Sequence, residues 1–192
     1  MATHRMHVTP YKRRLKGRTN YKKRLGLLKS RMIRVVIRKS TKSTRVQFVK
    51  YAPSGDMVVC SADSHELKAK GWKYSTGNLP SAYLTGLLAG RKAADAKIKK
   101  AVLDIGLHPS VKGARIYSAL KGLLDAGIDV PHSEEILPSD ERITGKHISE
   151  YAASAKQGEN ASGSQFTLNM KEGADPLKIV SSFSDIKKKI MG

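Results

Sequence analysis

The first fifty residues contain no aspartate or glutamate, and the first acid in the chain is Asp56. Seventeen lysines and arginines stand in that stretch, whereas residues 51 to 192 carry nineteen against sixteen acids. The net charge of +20 therefore belongs almost entirely to one end. A run of that density repels itself and becomes compact only against a polyanion. Phosphate backbone fits, because each neutralised phosphate releases condensed counterions. Cysteine is nearly absent: Cys60 stands alone, which excludes an internal disulfide framework and a cysteine zinc site. No long apolar run occurs either. The longest mostly apolar window, Leu79 to Gly90, is far short of the ~20 residues of a membrane span, and the basic run lacks the bulky apolar face of an interfacial helix. The N-terminus has no apolar signal segment, so a cytosolic protein without a membrane partner is expected.

Motifs of catalysis are missing as well. The glycines at Gly86 and Gly90 precede Arg91 without the Gly-Lys-Ser/Thr of a phosphate-binding loop, and Ser, His and Asp form no nucleophile pattern. His4 and His7 lie in the basic end, and His65, His108, His132 and His147 fall in separate segments. Ala2-Thr3-His4 can chelate copper once the initiator Met is removed, a property of any His at that position. No metal, cofactor or catalysis is expected. The one suggestive acid is Asp104, in the middle of an apolar run. A metal-dependent nuclease would need Asp63, Glu66, Asp125 or Asp129 beside it, and a structurally hydrogen-bonded Asp is the preferred reading.

What is present reads as an α/β chain, with 40% apolar residues and enough length for a core of ~100 residues. Residues 1–30 form a basic arm and short helix, 31–155 the core, and 156–192 a flexible link and helical tail. In the arm, Lys12, Arg13, Arg14, Lys16 and Arg18 have no hydrophobic period, and this segment is expected to order only on its partner. Lys12 to Lys16 also fits a nuclear-import patch. Thr19 is placed as the cap of a helix with Tyr21, Leu25 and Leu28 on one face and Lys22, Lys23 and Arg24 beside them.

The β-branched run Met32 to Arg38, the alternating Thr44 to Tyr51 and Met57 to Ala62 predict three strands in an antiparallel meander, the last following the Pro53–Asp56 turn. Arg38, Lys39, Lys42 and Arg45 give its first link a basic edge. On the second strand Arg45, Gln47, Val49 and Tyr51 share one face and Val46, Phe48 and Lys50 the other. Such charges either address RNA or guard an exposed strand from edge pairing.

A short helix is expected within Ser64 to Lys70, then a loop in which Trp72 acts as a core lid. Asn78, with Pro80 in the first turn, opens a helix to about Ile98. Its small residues Ala82, Gly86, Gly90 and Ala93 form a stripe read as packing on a sheet. Ala101 to Leu107 reads as a strand covered on both faces and reached by a parallel crossover. Ser110 to Ala126 reads as a helix stopped by Gly127, and Ile128 to Val130 as a short strand. Further helical turns follow to Ala155, interrupted by Pro138 and Gly145. Gly158, Ser162, Gly163 and Ser164 mark a link, and Leu177 to Ile190 predict a terminal amphipathic helix.

The segments KRRLKGRTNYKKRLGLLKS (Lys12 to Ser30), RVVIRKSTKSTRVQFV (Arg34 to Val49), TGNLPSAYLTGLLAG (Thr76 to Gly90), AVLDIGL (Ala101 to Leu107) and HISEYA (His147 to Ala152), in this order, closely resemble the archaeal type of large-subunit ribosomal protein eighteen, whose eukaryotic counterpart is numbered five. The resemblance covers residues 10 to 155. It implies a ribonuclease-H-like α/β core without catalytic acids, and a structural protein of the ribosomal central protuberance. Such a protein holds 5S rRNA against large-subunit rRNA among neighbouring large-subunit proteins. Carried over by motif, the implied RNA-binding residues are Arg13, Arg14, Lys16, Arg18, Tyr21, Lys22 and Arg24 in the arm, and Arg38, Lys39, Ser40, Lys42, Arg45 and Gln47 on the strands. Asn78, Ser81 and Tyr83 match the motif at the helix start. The rival readings are the nuclease described above and a general DNA-compacting protein.

Overall fold

The computed structural model describes residues 9–157, 166, 169–170 and 173–192. The copper-type motif at residues 2–4, and the Gly/Ser link at residues 158–165, lie outside them. The chain runs α1 (Lys12–Leu15), α2 (Tyr21–Leu28), β1 (Arg34–Lys39), β2 (Thr44–Lys50), β3 (Met57–Asp63), α3 (Glu66–Ala69) and α4 (Leu79–Asp95). It continues with β4 (Val102–Asp104), α5 (Arg115–Asp125), α6 (Asp140–Thr144), α7 (Lys146–Gln157) and α8 (Ile179–Met191). The four strands form one mixed sheet ordered β3-β2-β1-β4, with β1, β2 and β3 antiparallel and β4 parallel to β1. This is the α/β mixed sheet flanked by helices that the sequence predicts.

Alternation on the strands separates the two sheet faces. Val35, Ile37, Val46 and Phe48 are fully buried on the face that α4 and α5 cover, each contributing about 1.5–3 kcal/mol of transfer free energy. Arg34, Val36, Arg38, Arg45 and Gln47 point the other way. Among the described residues the arm with α2 lies over that second face, and no α2 residue is buried.

Helix α4 is the centre of the core. Every residue from Leu79 to Gly90 is buried, because the sheet, α5 and α8 each cover part of its circumference. That explains the longest apolar window: a helix surrounded by protein is apolar all round. Asn78 caps it, its side chain accepting from the Ser81 N–H at 2.9 Å, with Pro80 in the first turn. The small-residue stripe does not pack on the sheet as expected; its glycines face α5. A Cβ at Gly86 would overlap the carbonyl oxygen of Ala119, and one at Gly122 of α5 would overlap the Tyr83 carbonyl. The two helices therefore touch backbone to backbone.

Other expectations need correction. The N-cap of α2 is Asn20, whose side chain accepts from the Lys23 N–H at 3.0 Å; Thr19 instead accepts a 2.9 Å hydrogen bond from Arg13 Nε. Residues 12–15 of the arm form a helical turn. The strand expected over Ala101 to Leu107 ends at Asp104 and lies at the sheet edge with Val102 and Leu103 only half-buried, because Gly106 turns the chain with φ +62°. Ile128 to Val130 makes only a single bridge, between Asp129 and Lys100. Helix α5 begins at Arg115 rather than Ser110. Trp72 is a core residue, 1% exposed. The terminal amphipathic helix is present as expected: Ile179, Phe183, Ile186 and Ile190 of α8 belong to the main core, with the Phe183 ring 5.4 Å from that of Tyr83.

Gly86→Ala and Gly122→Ala should each destabilise the fold by about 1–3 kcal/mol or more, since an added methyl forces two backbones apart. Gly26→Ala, on exposed α2 where nothing lies within 4 Å of the added Cβ, should be neutral or stabilising by up to about 1 kcal/mol. Urea denaturation of the three variants measures the contrast.

Candidate nucleic-acid interface

The uncovered sheet face is the floor of a groove of about 1130 Å³, whose other wall is the arm. Arg13, Arg18, Tyr21, Lys23 and Arg24 line the arm side, Arg34, Arg38, Gln47 and Val49 the floor, and His108 one end. The wall is joined to the floor by charge. Arg24 of α2 grips Asp56 bidentately, Nη1 to Oδ2 and Nη2 to Oδ1 at 2.8 Å each. Arg34 Nη2 donates to the same Asp56 at 2.7 Å and its Nη1 to Asp104 at 3.0 Å. Arg38 Nη2 closes on the other Asp104 oxygen at 3.0 Å, while its Nη1 donates to the Asp104 carbonyl at 2.6 Å. Five charges thus alternate in sign from helix to strand edge, ending positive at both ends.

Arg34 is the buried member, with a side chain only 3% exposed. Burial of a guanidinium is tolerable only with carboxylates on it, and Asp56 and Asp104 supply them from the β2–β3 turn and from β4. Gly106 leaves room for this, because a Cβ there would lie 2.8 Å from the Arg38 Cζ. The hydrogen bond from Arg24 holds the Asp56 carboxyl below the usual carboxylate range, and the same bond raises Arg24. Asp104 also accepts from the Gly106 N–H at 2.8 Å. The acids that a nuclease would need do not converge: Asp63 pairs with Arg45, Glu66 with Lys92, Asp125 with Tyr83 and Asp129 with Lys100, while the acid in the Asp104 network is Asp56, and arginine occupies both.

The β1–β2 link, residues Ser40 to Ser43, projects beyond the groove and is tied down by groups from elsewhere. Arg115 Nη1 donates to the Gly77 carbonyl at 2.6 Å and Nη2 to the Ser40 carbonyl at 2.8 Å; Thr76 Oγ1 donates to the Lys42 carbonyl at 2.6 Å. The backbone of the link is held, so Lys39 and Lys42 stand on a fixed base. His108 is pushed below the ordinary imidazole value by burial and by Lys39, Arg38 and Arg115 nearby.

The residues singled out from the sequence therefore separate into groups. Arg13, Arg18, Tyr21, Arg24, Arg38 and Gln47 come together in the groove, with the Tyr21 ring 5.1 Å from that of Tyr11. Arg14, Lys16 and Lys22 are exposed on the arm outside it, and Lys39, Ser40 and Lys42 stand at the hairpin tip. Arg24 and Arg38 are in ion pairs, and Arg45 pairs with Asp63 at 2.9 Å. By contrast Arg14, Lys16, Arg18, Lys22, Lys39 and Lys42 make no ion pair among the described residues. Ser40 is committed within the turn to Ser43, its Oγ 2.8 Å from that of Ser43. Ser81 does not reach the surface: it is fully buried and donates to the Asn78 carbonyl at 3.0 Å. Asn78 is likewise committed to the helix cap. Tyr83 is buried, with its hydroxyl on Asp125 at 2.6 Å. Sequence reasoning missed Arg34, Asp56, His108 and Arg115. Arg115 left a signal, since a cation in the first turn of a helix opposes the dipole and needs another reason to be there.

The groove is thus floored by a locked ion network, with cations that make no ion pair among the described residues on the arm and at the hairpin tip. The model of the family described as ribosomal large subunit proteins 60S L5 and 50S L18 matches residues 4–99 and 92–133. The "Large ribosomal subunit protein uL18" of Korarchaeum cryptofilum is 47% identical over 190 residues, covering 99% of this chain and 97% of that protein. The protein of the same description from Methanococcus maripaludis is 44% identical over 191 residues, covering 100% and 99%. The chain belongs to this family of large-subunit ribosomal proteins, and is a structural constituent of the cytoplasmic ribosome. The relatives extend the likeness past residue 155, through the segment where the motifs show none. No helix of the described residues is long and apolar enough to cross a membrane.

Asp104→Ala leaves Arg34 with half its counter-charge and should cost about 3–5 kcal/mol in chemical denaturation. Asp56→Asn should cost about 1 kcal/mol, being partly solvated. Because the folded pKa of Asp56 is depressed, its contribution is fully present above the unfolded value near ~4 and is lost as pH falls through the folded one. The stability gap between wild type and Asp56→Asn should thus be constant above about pH 5 and close below about pH 4, as a denaturation series across pH will read.

Proposed function

We propose that this protein binds 5S rRNA and anchors it to large-subunit rRNA in the central protuberance, beside neighbouring large-subunit proteins. The observation that carries the reading is the set of cations without an ion pair among the described residues: Arg18 in the groove, Arg14, Lys16 and Lys22 on the arm outside it, and Lys39 and Lys42 at the hairpin tip. Folded RNA is recognised largely through shape, phosphate and 2′-hydroxyl contacts, and cations on a held surface match that chemistry better than they match base-edge readout in duplex DNA. In this reading residues 1–30 act as an electrostatic anchor and the sheet with its hairpin tip supplies the shape. Arg13, Tyr21 and Gln47 face the same groove. Arg24, Arg38 and Arg45 address RNA with the capacity their carboxylates leave them.

The test is binding of the full chain to 5S RNA, to an unrelated structured RNA of equal length and to duplex DNA, at two salt concentrations, with and without residues 1–30. A preference for 5S RNA that survives at the higher salt and survives the deletion, while affinity falls, is the expected outcome. Equal binding to all three ligands would leave only a general polyanion grip. Arg14→Ala and Lys42→Ala should each lower the salt slope by up to about one unit, whereas Arg38→Ala, already neutralised by Asp104, should lower it less.

A further inference from the structure

A second cationic surface lies on the opposite side of the molecule. Lys188 and Lys189 are exposed on the last turns of α8. The Lys189 Nζ is 3.5 Å from the Lys70 carbonyl at the end of α3, and Arg91 of α4 donates to the Met191 carbonyl at 3.1 Å. Beside them Lys73 and Lys178 line a hollow of about 270 Å³ together with one acid, Asp175. These six cations come from four separate segments, and none makes an ion pair among the described residues. The helix dipole accounts for lysine at the end of α8, and capping of its last carbonyls for Arg91, but neither brings the Lys70 to Lys73 segment alongside. Nor does packing require them, since α8 already buries Ile179, Phe183, Ile186 and Ile190 on its inner face. The one acid on α8, Asp185, is exposed and makes no ion pair with these lysines.

From this we infer a second phosphate-backbone contact, made by Lys70, Arg91, Lys188 and Lys189, that takes a segment of RNA different from the one in the groove. Helix α8 packs on α4, which covers the sheet face away from the groove. At ~10 Å per packed layer the two surfaces are roughly 20 Å apart. That is more than twice the ~8 Å Debye length at physiological ionic strength, so one short RNA stretch cannot feel both. The chain is a two-sided polyanion binder. This goes beyond the 5S reading and needs only that the groove side takes RNA.

The experiment titrates the full chain with a 12-base-pair A-form RNA duplex at low and moderate salt and reads stoichiometry and salt slope. Wild type should bind two duplexes. Lys188→Glu/Lys189→Glu should bind one, and Lys39→Glu/Lys42→Glu should also bind one, at the other surface. The milder Lys188→Gln/Lys189→Gln should keep wild-type melting behaviour and lower the slope of the second site by up to about two units. A single duplex on wild type overturns the inference and leaves the patch to an acidic protein neighbour; so does a second duplex that persists in the charge-reversed α8 variant. Adding 5S RNA should displace only the groove-side duplex. If 5S RNA displaces neither while two duplexes bind, the 5S reading fails and the second contact stands.

Discussion

The buried guanidinium of Arg34 is the constraint around which the open side of this protein is built. A desolvated cation in a central strand costs several kcal/mol unless carboxylates reach it with good geometry, and removal of either partner leaves an uncompensated charge. Asp56 and Asp104 meet that demand from two different parts of the chain. In doing so they fix where the β2–β3 turn ends, where β4 stops and which way the floor of the groove faces. Arg24 uses the Asp56 carboxylate to hold α2 over the sheet, a helix that buries nothing of its own. One ion thereby positions the wall as well as the floor.

The network also sorts the cations. Those spent on Asp56, Asp104 and Asp63 build the surface, and those left without a carboxylate charge it. Both kinds are arginine or lysine at one end of the chain, and composition cannot tell them apart. The difference matters for binding, because a guanidinium already facing a carboxylate releases fewer counterions when a phosphate arrives. Arginine suits the structural positions, since its planar fork satisfies a carboxylate bidentately, as Arg24 does on Asp56. At the free positions of the hairpin tip the side chains are lysine, and the backbone beneath them is held by Arg115 and Thr76.

Much of the fold was legible. Val35, Ile37, Val46 and Phe48 alternate as a half-buried meander must, Asn78 with Pro80 marks the start of α4, and Gly127 follows the end of α5. The errors came where tertiary contact overrides local pattern. The stripe through Gly86 and Gly90 correctly signalled close approach but not its partner, since small side chains fit a helix or a sheet equally well. The apolar run from Ala101 looked like a fully covered strand, yet Gly106 and Arg38 cut it short. Ser81 matched a motif on the surface of the sequence, while in the fold it lies wholly inside.

The sequence by itself determined the class of the protein: a one-sided excess of cations that only a polyanion can relieve, on an α/β core, in segments whose order marks a large-subunit ribosomal family. Charge, periodicity and motif order are properties of the chain, and folding does not change them. Only the tertiary structure decided which cations are free, that Asp104 serves an arginine, and that α8 completes the core while turning its lysines to the far side. Each of these depends on residues far apart in sequence meeting at distances of a few ångströms, and no local pattern carries that information.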